Sequence, residues 1–157
     1  MTHFSKGRPY TKEEIARLLR QHQVLPTEQR VEIAQLLFAE PQHLSADQVM
    51  ALANRGRSVV SKATVYNTLG LLARKGLLRE VIVDPNKVFY DSNTGPHHHI
   101  YDVDSGVLTD VAPEQLAIAR LPELPAGTVP VGVDVIVRIR RLAGSPAVDP
   151  VGEEPSS

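Results

Sequence analysis

The sequence predicts an α+β fold, in which an N-terminal winged helix-turn-helix DNA-binding domain precedes a small C-terminal α/β dimerisation domain. Helical periodicity with capping signals fills residues 11–75, and a pair of strand-like segments follows at residues 77–83 and 87–91. Short helices followed by a two-stranded hairpin are the parts of a winged helix-turn-helix, whose last helix enters the major groove. Further strand patterns, ending in an alternating segment over residues 131–139, supply the second domain.

Each predicted helix follows a side chain that can accept a backbone N–H: Thr11, Thr27, Ser45 and Ser61. Glu14 and Gln48 complete capping boxes at the first and third helices. The predicted ends of the four helices are about Gln21, Pro41, Gly56 and Gly76. The fourth helix places one apolar face at i, i+4 and i+7 toward the core, with Val65, Leu69 and Leu72.

The C-terminal part is predicted to be a small sheet that needs a partner. Residues 100–103 and 107–111 form a hairpin, Pro113 starts a short helix that runs through Leu121, and residues 131–139 form a long strand. That strand has one strongly apolar face, and a sheet of this size has little of its own to cover it. Burial against a second copy of the chain is the economical solution, because two-fold dimers are the commonest oligomers. Residues 142–157 are predicted to be a disordered tail.

The charge of the chain is divided unevenly. Residues 1–90 hold 13 Lys and Arg against 8 Asp and Glu, whereas residues 91–157 hold 4 against 10. A basic half suits a polyanion such as nucleic acid, and an acidic half suits cations. An ordinary small helical domain that uses the same elements for packing is the alternative for the first half.

Composition excludes several classes of protein. The chain has no cysteine, so disulfides, a structural zinc held by four cysteines and thiol redox chemistry are absent. It has no run of about 18 apolar residues that would span a membrane. The first residues are not followed by an apolar signal segment, which makes the cytoplasm the expected location.

A histidine run with nearby carboxylates lies where the two halves meet. In a strand, alternate side chains share a face, so His97 and His99 would point one way and His98 the other. With Asp91 and Asp110 they form a mixed nitrogen and oxygen ligand set, which suits Fe(II), Mn(II), Zn(II) or Co(II). A solvated loop with three exposed histidines is the alternative reading of this segment.

Several motifs in the expected order resemble the Fur family of metal-dependent repressors. They are residues 61–69 (SKATVYNTL), residues 76–81 (GLLREV) and residues 91–99 (DSNTGPHHH). The resemblance covers roughly residues 15–141. Within the family the sequence is most similar to the iron-responsive Irr-type branch, and the peroxide-sensing PerR type is next.

The resemblance implies a regulatory metal site at the hinge between the two domains. Its expected ligands are His43 from the loop after the second helix, then Asp91, His97, His99 and Asp110. The expected ion is Fe(II) or Mn(II), with Zn(II) able to bind in vitro, and the expected assembly is a homodimer on double-stranded operator DNA. The implied organisation is a winged-helix domain, a dimerisation and metal-sensing domain, and a tail, over residues 1–90, 91–141 and 142–157.

Two departures from the family pattern have consequences. Pro96 replaces a ligand of a second histidine and acid site, and the C-terminal strand has no histidine, so that second site is not expected. Asn67 occupies a recognition-helix position that is Arg in many relatives. Because Arg favours guanine and Asn favours adenine, we expect an operator that leans toward A·T pairs.

The predicted DNA-contacting residues are Arg30, Lys62, Ala63, Thr64, Tyr66 and Asn67. Asn67 would read a base edge, Tyr66 a thymine methyl or a phosphate, and Lys62 and Arg30 would hold phosphates. Two alternatives stay open: Tyr66 half-buried against the wing, and Arg30 on the solvated side of the second helix.

The signal that the site senses has three interpretations. In the first, the site binds Fe(II) or Mn(II) directly. In the second, His97, His98 and His99 take haem, since haem iron accepts histidine as an axial ligand. In the third, bound Fe(II) reacts with peroxide and oxidises a nearby imidazole. Two further alternatives are an enzyme that uses two histidines and a carboxylate as a facial Fe(II) triad, and a DNA-binding protein that needs no metal.

Overall fold

The computed structural model describes residues 8–56 and 60–145. The chain divides into two compact units, Met1–Pro96 and His97–Ser157. Residues 1–7 and 146–157 lie outside the described residues, and the second of these ranges holds most of the predicted tail. None of the helices in the described segments is long and apolar enough to span a bilayer.

The first unit contains four α-helices, and all four predicted N-caps are confirmed. The helices are α1 (Lys12–Gln21), α2 (Glu28–Phe38), α3 (Ala46–Ala53) and α4 (Lys62–Arg74). Thr11 and Ser45 each form a complete capping box, and the side chains of Thr27 and Ser61 accept N–H groups from the first turns of α2 and α4. These signals are local, because each N-cap side chain and the backbone N–H that donates to it lie three residues apart.

The helices pack their apolar faces into one core. The fully buried side chains of this core come mainly from the four helices and the turn after α4, and include Ile15, Leu19, Phe38, Val49, Leu69 and Leu77. Burying a Leu, Ile or Phe side chain contributes about 1.5–3 kcal/mol each, so this cluster is the main source of stability in the unit.

A three-stranded antiparallel sheet closes the first unit. Its strands are β1 (His43–Ser45), β2 (Arg79–Asp84) and β3 (Lys87–Asp91), in the order β1-β3-β2. The predicted hairpin of β2 and β3 is confirmed, but the prediction that His43 lies in a loop is wrong. Its segment is too short to show a strand pattern, and it becomes a strand because β3 offers a free edge for hydrogen bonding.

The second unit has a three-stranded sheet of its own. Its strands are β4 (His98–Asp102), β5 (Leu108–Val111) and β6 (Ile136–Ile139), in the order β5-β4-β6. The predicted β4–β5 hairpin is confirmed, and β6 pairs with β4 in parallel.

Two predicted elements of the second unit are shorter than expected. The helix predicted from Pro113 to Leu121 is a single 3₁₀ turn at Pro113–Gln115, and the chain beyond it is irregular and largely exposed. An amphipathic helix needs a surface on which to bury its apolar face, and the described part of this unit offers none there. The strand predicted over residues 131–139 is shorter and consists of β6 only. Residues 131–134 lie beyond the first residue of its parallel partner β4, so they pair with no strand among the described residues.

Taken alone, the second unit buries little apolar surface. Among its described residues, Tyr101 and Leu108 are the buried apolar side chains, while Val131, Val137 and Ile139 are exposed. A sheet with so small a core is marginal as an isolated structure in water.

We expect an acid-dependent loss of stability at the start of α1. The Arg8 guanidinium and then the Thr11 backbone N–H bind the Glu14 carboxylate and lower its pKa from 4.5 to about 2. A carboxylate with a lowered pKa stabilises the fold above its unfolded pKa and loses that effect as the pH falls through the folded value. Urea unfolding should therefore find wild type more stable than Glu14→Gln near neutral pH. The two proteins should converge toward about pH 2, and a constant difference at all pH values would contradict the assignment.

Candidate metal centre and exposed helix face

Two histidines of the second unit lie on one buried face of its sheet. The side chains of His97 and His99 are 5% and 2% exposed, and their ring centroids lie 4.5 Å apart. Asp110 is opposite His99 in the β4–β5 register, and its Oδ1 lies 3.6 Å from His97 Nε2 and 3.3 Å from His99 Nε2. The predicted sharing of a face by His97 and His99 is confirmed, and the alternative of three exposed histidines is wrong.

The chemistry of these three residues of the second unit fits a divalent ion. An ion with bonds of about 2.1 Å separates neighbouring ligand atoms by about 3 Å and opposite ones by about 4.2 Å. The distances from Asp110 Oδ1 to the two Nε2 atoms are therefore close to those of a bound site. Two imidazoles and a carboxylate suit Fe(II), Mn(II), Zn(II) or Co(II).

The position of Asp91 is set by the sheet and by two consecutive turns. Asp91 is buried at the end of the central strand β3, with His43 as its register partner on β1 and Arg79 on β2. Its Oδ1 accepts the Asn93 N–H at 2.8 Å, and Asn93 Oδ1 accepts the Gly95 N–H at 3.0 Å. These side-chain turns hold the segment after β3 in a defined conformation.

His43 is a predicted ligand that lies in the first unit, as Asp91 does. It is half-buried on β1, and its ring packs edge-on against Phe89 with the centroids 6.0 Å apart. Side chains of directly paired antiparallel residues lie on the same face of a sheet, so His43 and Asp91 are neighbours within the first unit.

His98 contributes to the sheet in another way. Its Nδ1 accepts the backbone N–H of Val135 at 3.2 Å, so this nitrogen carries no proton and Nε2 does. A histidine can bind haem iron only when its ring is exposed enough for the porphyrin to approach it. The burial of His97 and His99 and the bond at His98 Nδ1 do not favour haem as a ligand of the histidine run.

The exposed face of α4 carries most of the predicted DNA-contacting residues. Lys62, Ala63, Tyr66 and Asn67 are exposed, and Thr64 is half-buried with its hydroxyl 2.9 Å from that of Ser61. The Lys62 ammonium lies 5.7 Å from the Tyr66 ring centroid, within range of a cation–π contact.

Both interpretations of Tyr66 have support in the geometry. Its side chain is 44% exposed, yet it also lines a cleft of about 460 Å³ beside the β2–β3 hairpin. The hairpin residues of this cleft are Asn86, Lys87, Val88 and Tyr90. Tyr66 therefore leans toward the wing and keeps an accessible edge.

Arg30 forms a hydrogen bond with the loop that precedes its own helix, α2. Its guanidinium donates to the Leu25 carbonyl at 3.0 Å, which ties the start of α2 to the preceding loop.

The sequence assigned no role to two residues beside the predicted ligands. Gln42 and Ser92 form hydrogen bonds next to His43 and Asp91. Ser92 lies within the motif of residues 91–99, but nothing in that motif indicates its pairing with Gln42.

Comparison with known proteins gives consistent matches. A model of the ferric uptake regulator family matches residues 21–122. The peroxide-responsive repressor PerR of Staphylococcus aureus (strain USA300) is 31% identical over 112 residues, which cover 71% of this chain and 76% of that repressor.

Two solved structures of ferric uptake regulators are similar in fold. The protein of Pseudomonas aeruginosa with manganese has a TM-score of 0.59 and 24% identity, covering 80% of this chain and 96% of that one. The protein of Vibrio cholerae has a TM-score of 0.63 and 16% identity, covering 80% and 98%. These likenesses confirm the predicted α+β fold, with a helical N-terminal domain and a small C-terminal domain rich in strands.

Proposed function

Because this chain belongs to the ferric uptake regulator family, whose members are metal-responsive transcriptional regulators and not enzymes, we propose that it is a dimeric repressor controlled by Fe(II) or Mn(II). The observation that carries the proposal is the pair of buried imidazoles, His97 and His99, against the Asp110 carboxylate, together with the buried carboxylate of Asp91 in the first unit. Burying imidazoles and carboxylates together is costly, and a bound cation offsets that cost. The facial Fe(II) enzyme considered from the sequence is set aside by the family.

The proposed ligands are His43, Asp91, His97, His99 and Asp110. His43 is included because it is the cross-strand neighbour of Asp91. The bound ion supplies positive charge that neutralises the two carboxylates, and Zn(II) is expected to bind the same set in vitro. Ligands from a winged-helix domain (residues 1–90) and a dimerisation domain (residues 91–141) would favour one orientation of the two recognition helices over others.

The proposed homodimer forms through the second domain. Its described residues bury few apolar side chains and expose Val137 and Ile139 on β6, which supports burial against a second copy. A two-fold dimer presents two α4 helices to successive turns of an operator, at about 34–36 Å spacing. We propose that the protein acts in the cytoplasm, where operator DNA is accessible.

Operator binding measured without metal, with Mn(II), with Fe(II) under anaerobic conditions and with haem tests the proposal. We expect Mn(II) and Fe(II) to change operator affinity, EDTA to reverse the change, and haem to have no effect of its own. An affinity that EDTA leaves unchanged would favour the DNA-binding protein that needs no metal. The direction of the change separates an Irr-type protein, which binds DNA when iron is scarce, from a repressor of the opposite type, which binds DNA when the metal is bound.

Peroxide sensing is a second candidate function, supported by the 31% identity to a peroxide-responsive repressor. In this version a ligand imidazole, of His43 or His97, would take up one oxygen atom from hydrogen peroxide, whose other oxygen would leave as water, and Fe(II) held by the proposed ligands would supply the redox chemistry. Mass spectrometry of the Fe(II)-loaded protein after peroxide treatment should then show one added oxygen on a peptide that contains His43 or His97. Unmodified histidine peptides would remove this candidate.

A phosphate contact by Lys62 predicts a measurable change in salt dependence. Lys62 is the exposed first residue of α4. We expect Lys62→Ala to weaken operator binding to a similar extent on all sequences, and to reduce the slope of log affinity against log salt by about 1. Operator titrations at several salt concentrations measure the slope, with Lys75→Ala at the other end of α4 as the control. An unchanged slope would show that Lys62 holds no phosphate.

Base reading by Asn67 predicts a change of preferred sequence. Asn67 is exposed on α4, one residue after Tyr66. We expect Asn67→Arg to move the preference at one operator position in each half-site from A·T to G·C, by about 1–3 kcal/mol of discrimination. Selection of bound sequences from a randomised operator pool measures it, and an identical selected consensus would contradict base reading by this residue.

A further inference from the structure

Next to the ligand pair of the first unit lies a hydrogen-bonded pair, the half-buried Gln42 and the fully buried Ser92. We propose that Gln42 and Ser92 are positioning residues, which connect the metal ligands His43 and Asp91 to the C-terminal end of α2. The inference rests on the proposed function, since it assigns the two ligands to the regulatory metal. It goes further by naming the residues through which metal binding would be transmitted to the helices.

Ser92 is held by the chain that precedes His43. Its side chain is fully buried, and its Oγ accepts the Gln42 N–H at 3.2 Å. The hydroxyl has carbonyl acceptors at Gln42, 3.1 Å away, and at Glu40, 3.4 Å away. The Ser92 N–H also donates to the Gln42 carbonyl at 3.0 Å, so the pairing of β1 with β3 continues for one residue beyond the strands.

Gln42 extends the contact to α2. Its Nε2 donates to the Leu36 carbonyl at 2.7 Å and lies 3.5 Å from the Leu37 carbonyl. Carbonyl groups in the last turn of a helix lack partners within the helix, so the Gln42 side chain acts as a cap of α2. A side chain of the residue before His43 thus binds directly to a helix of the DNA-binding unit.

This arrangement places one connection beside both ligands. Gln42 immediately precedes His43, Ser92 immediately follows Asp91, and the two ligands are register partners. A change in the separation of β1 and β3 on metal binding would therefore move the Gln42 side chain and the end of α2. Since α2 packs against α3 and α4, the change would reach the exposed face of α4.

The test uses Ser92→Ala and Gln42→Ala with matched controls. Ser105→Ala removes a hydroxyl that accepts a backbone N–H in the β4–β5 turn, and Gln35→Ala removes an amide on α2 that donates to the Tyr10 carbonyl. Mn(II) affinity is measured from the electron paramagnetic resonance signal of free Mn(II), without DNA. Operator affinity is then measured for the apo and Mn(II)-loaded full-length proteins, and thermal unfolding is measured for the apo proteins.

We expect both variants to lower Mn(II) affinity about 10-fold, the lower end of the range for partners of metal ligands. The ratio of loaded to apo operator affinity should move toward one, while the apo operator affinity stays that of wild type. The double variant should lose no more than the larger single loss, because the two side chains form one unit. The control variants should match wild type in all of these measurements.

Three results would overturn the inference. Mn(II) affinities within about twofold of wild type would show that the pair does not position the ligands. Equal losses in apo and loaded operator affinity, together with a lower unfolding temperature, would show a structural role only. A wild-type protein that binds no Mn(II) would overturn the proposed function as well. If wild type does change its operator affinity with Mn(II) and the variants change theirs equally, only the positioning role is overturned.

Discussion

Replacing His97 with alanine is expected to lower Mn(II) affinity by at least about 100-fold, more than the loss of a residue that only supports a ligand. His97 is buried against His99, and its Nε2 faces the Asp110 carboxylate. Removing the imidazole leaves the second unit with one of its two proposed nitrogen ligands, His99. Operator binding should lose its dependence on Mn(II) over the range in which the wild type responds.

His22→Ala is the matched control for this experiment. His22 follows α1, and its Nδ1 lies 3.0 Å from the Leu18 carbonyl. The His22→Ala substitution removes one imidazole from the first unit and leaves every proposed ligand in place. The variant should therefore bind Mn(II) with the affinity of wild type. A His97→Ala protein that still binds Mn(II) like the control would exclude His97 from the site.

The largest effect on stability is expected for Leu69→Ala, at about 2–5 kcal/mol of unfolding free energy. Leu69 lies on the inner face of α4, is fully buried, and belongs to the single core cluster of the first unit. Shortening it leaves a cavity between helices whose positions are fixed by their other contacts. Urea unfolding followed by far-ultraviolet circular dichroism measures the loss, because the described α-helices all lie in this unit.

Leu25→Ala is the matched control, because it makes the same leucine-to-alanine substitution at an exposed position. Leu25 is 71% exposed in the loop before α2, and surface substitutions usually change stability by less than about 0.5 kcal/mol. The two variants lose the same atoms from different environments. Similar midpoints for both would show that α4 does not pack as described.

The parts of the fold that depend on local chemistry could be predicted from the sequence. The N-caps Thr11, Thr27, Ser45 and Ser61 act on backbone groups two or three residues away, so the residue type was sufficient. The presence of the β4–β5 hairpin could likewise be predicted, because turn residues separate its two strand patterns. Its register could not, because the predicted turn over residues 104–106 would place Asp110 opposite Ile100, whereas Asp110 lies opposite His99.

Features that depend on distant pairing could not be predicted. Strand β1 has three residues, and it exists because β3 pairs with it across a long separation in sequence. The pairing of Gln42 with Ser92 spans 50 residues and follows from that register. The alternating pattern of residues 131–139 indicated a strand but could not show where its parallel partner β4 begins.

The parallel pairing of β6 with β4 has a consequence for the synthesis of the protein. Residues 112–135 must close a long loop without an α-helix before Ile136 can pair with His99, and the entropy of closing such a loop delays the pairing. Helices α1–α4 need no such closure and are expected to fold first. A nascent chain whose translation stops before β6 would expose the edge of β4, which carries two of the histidines, to aggregation or to capture by chaperones.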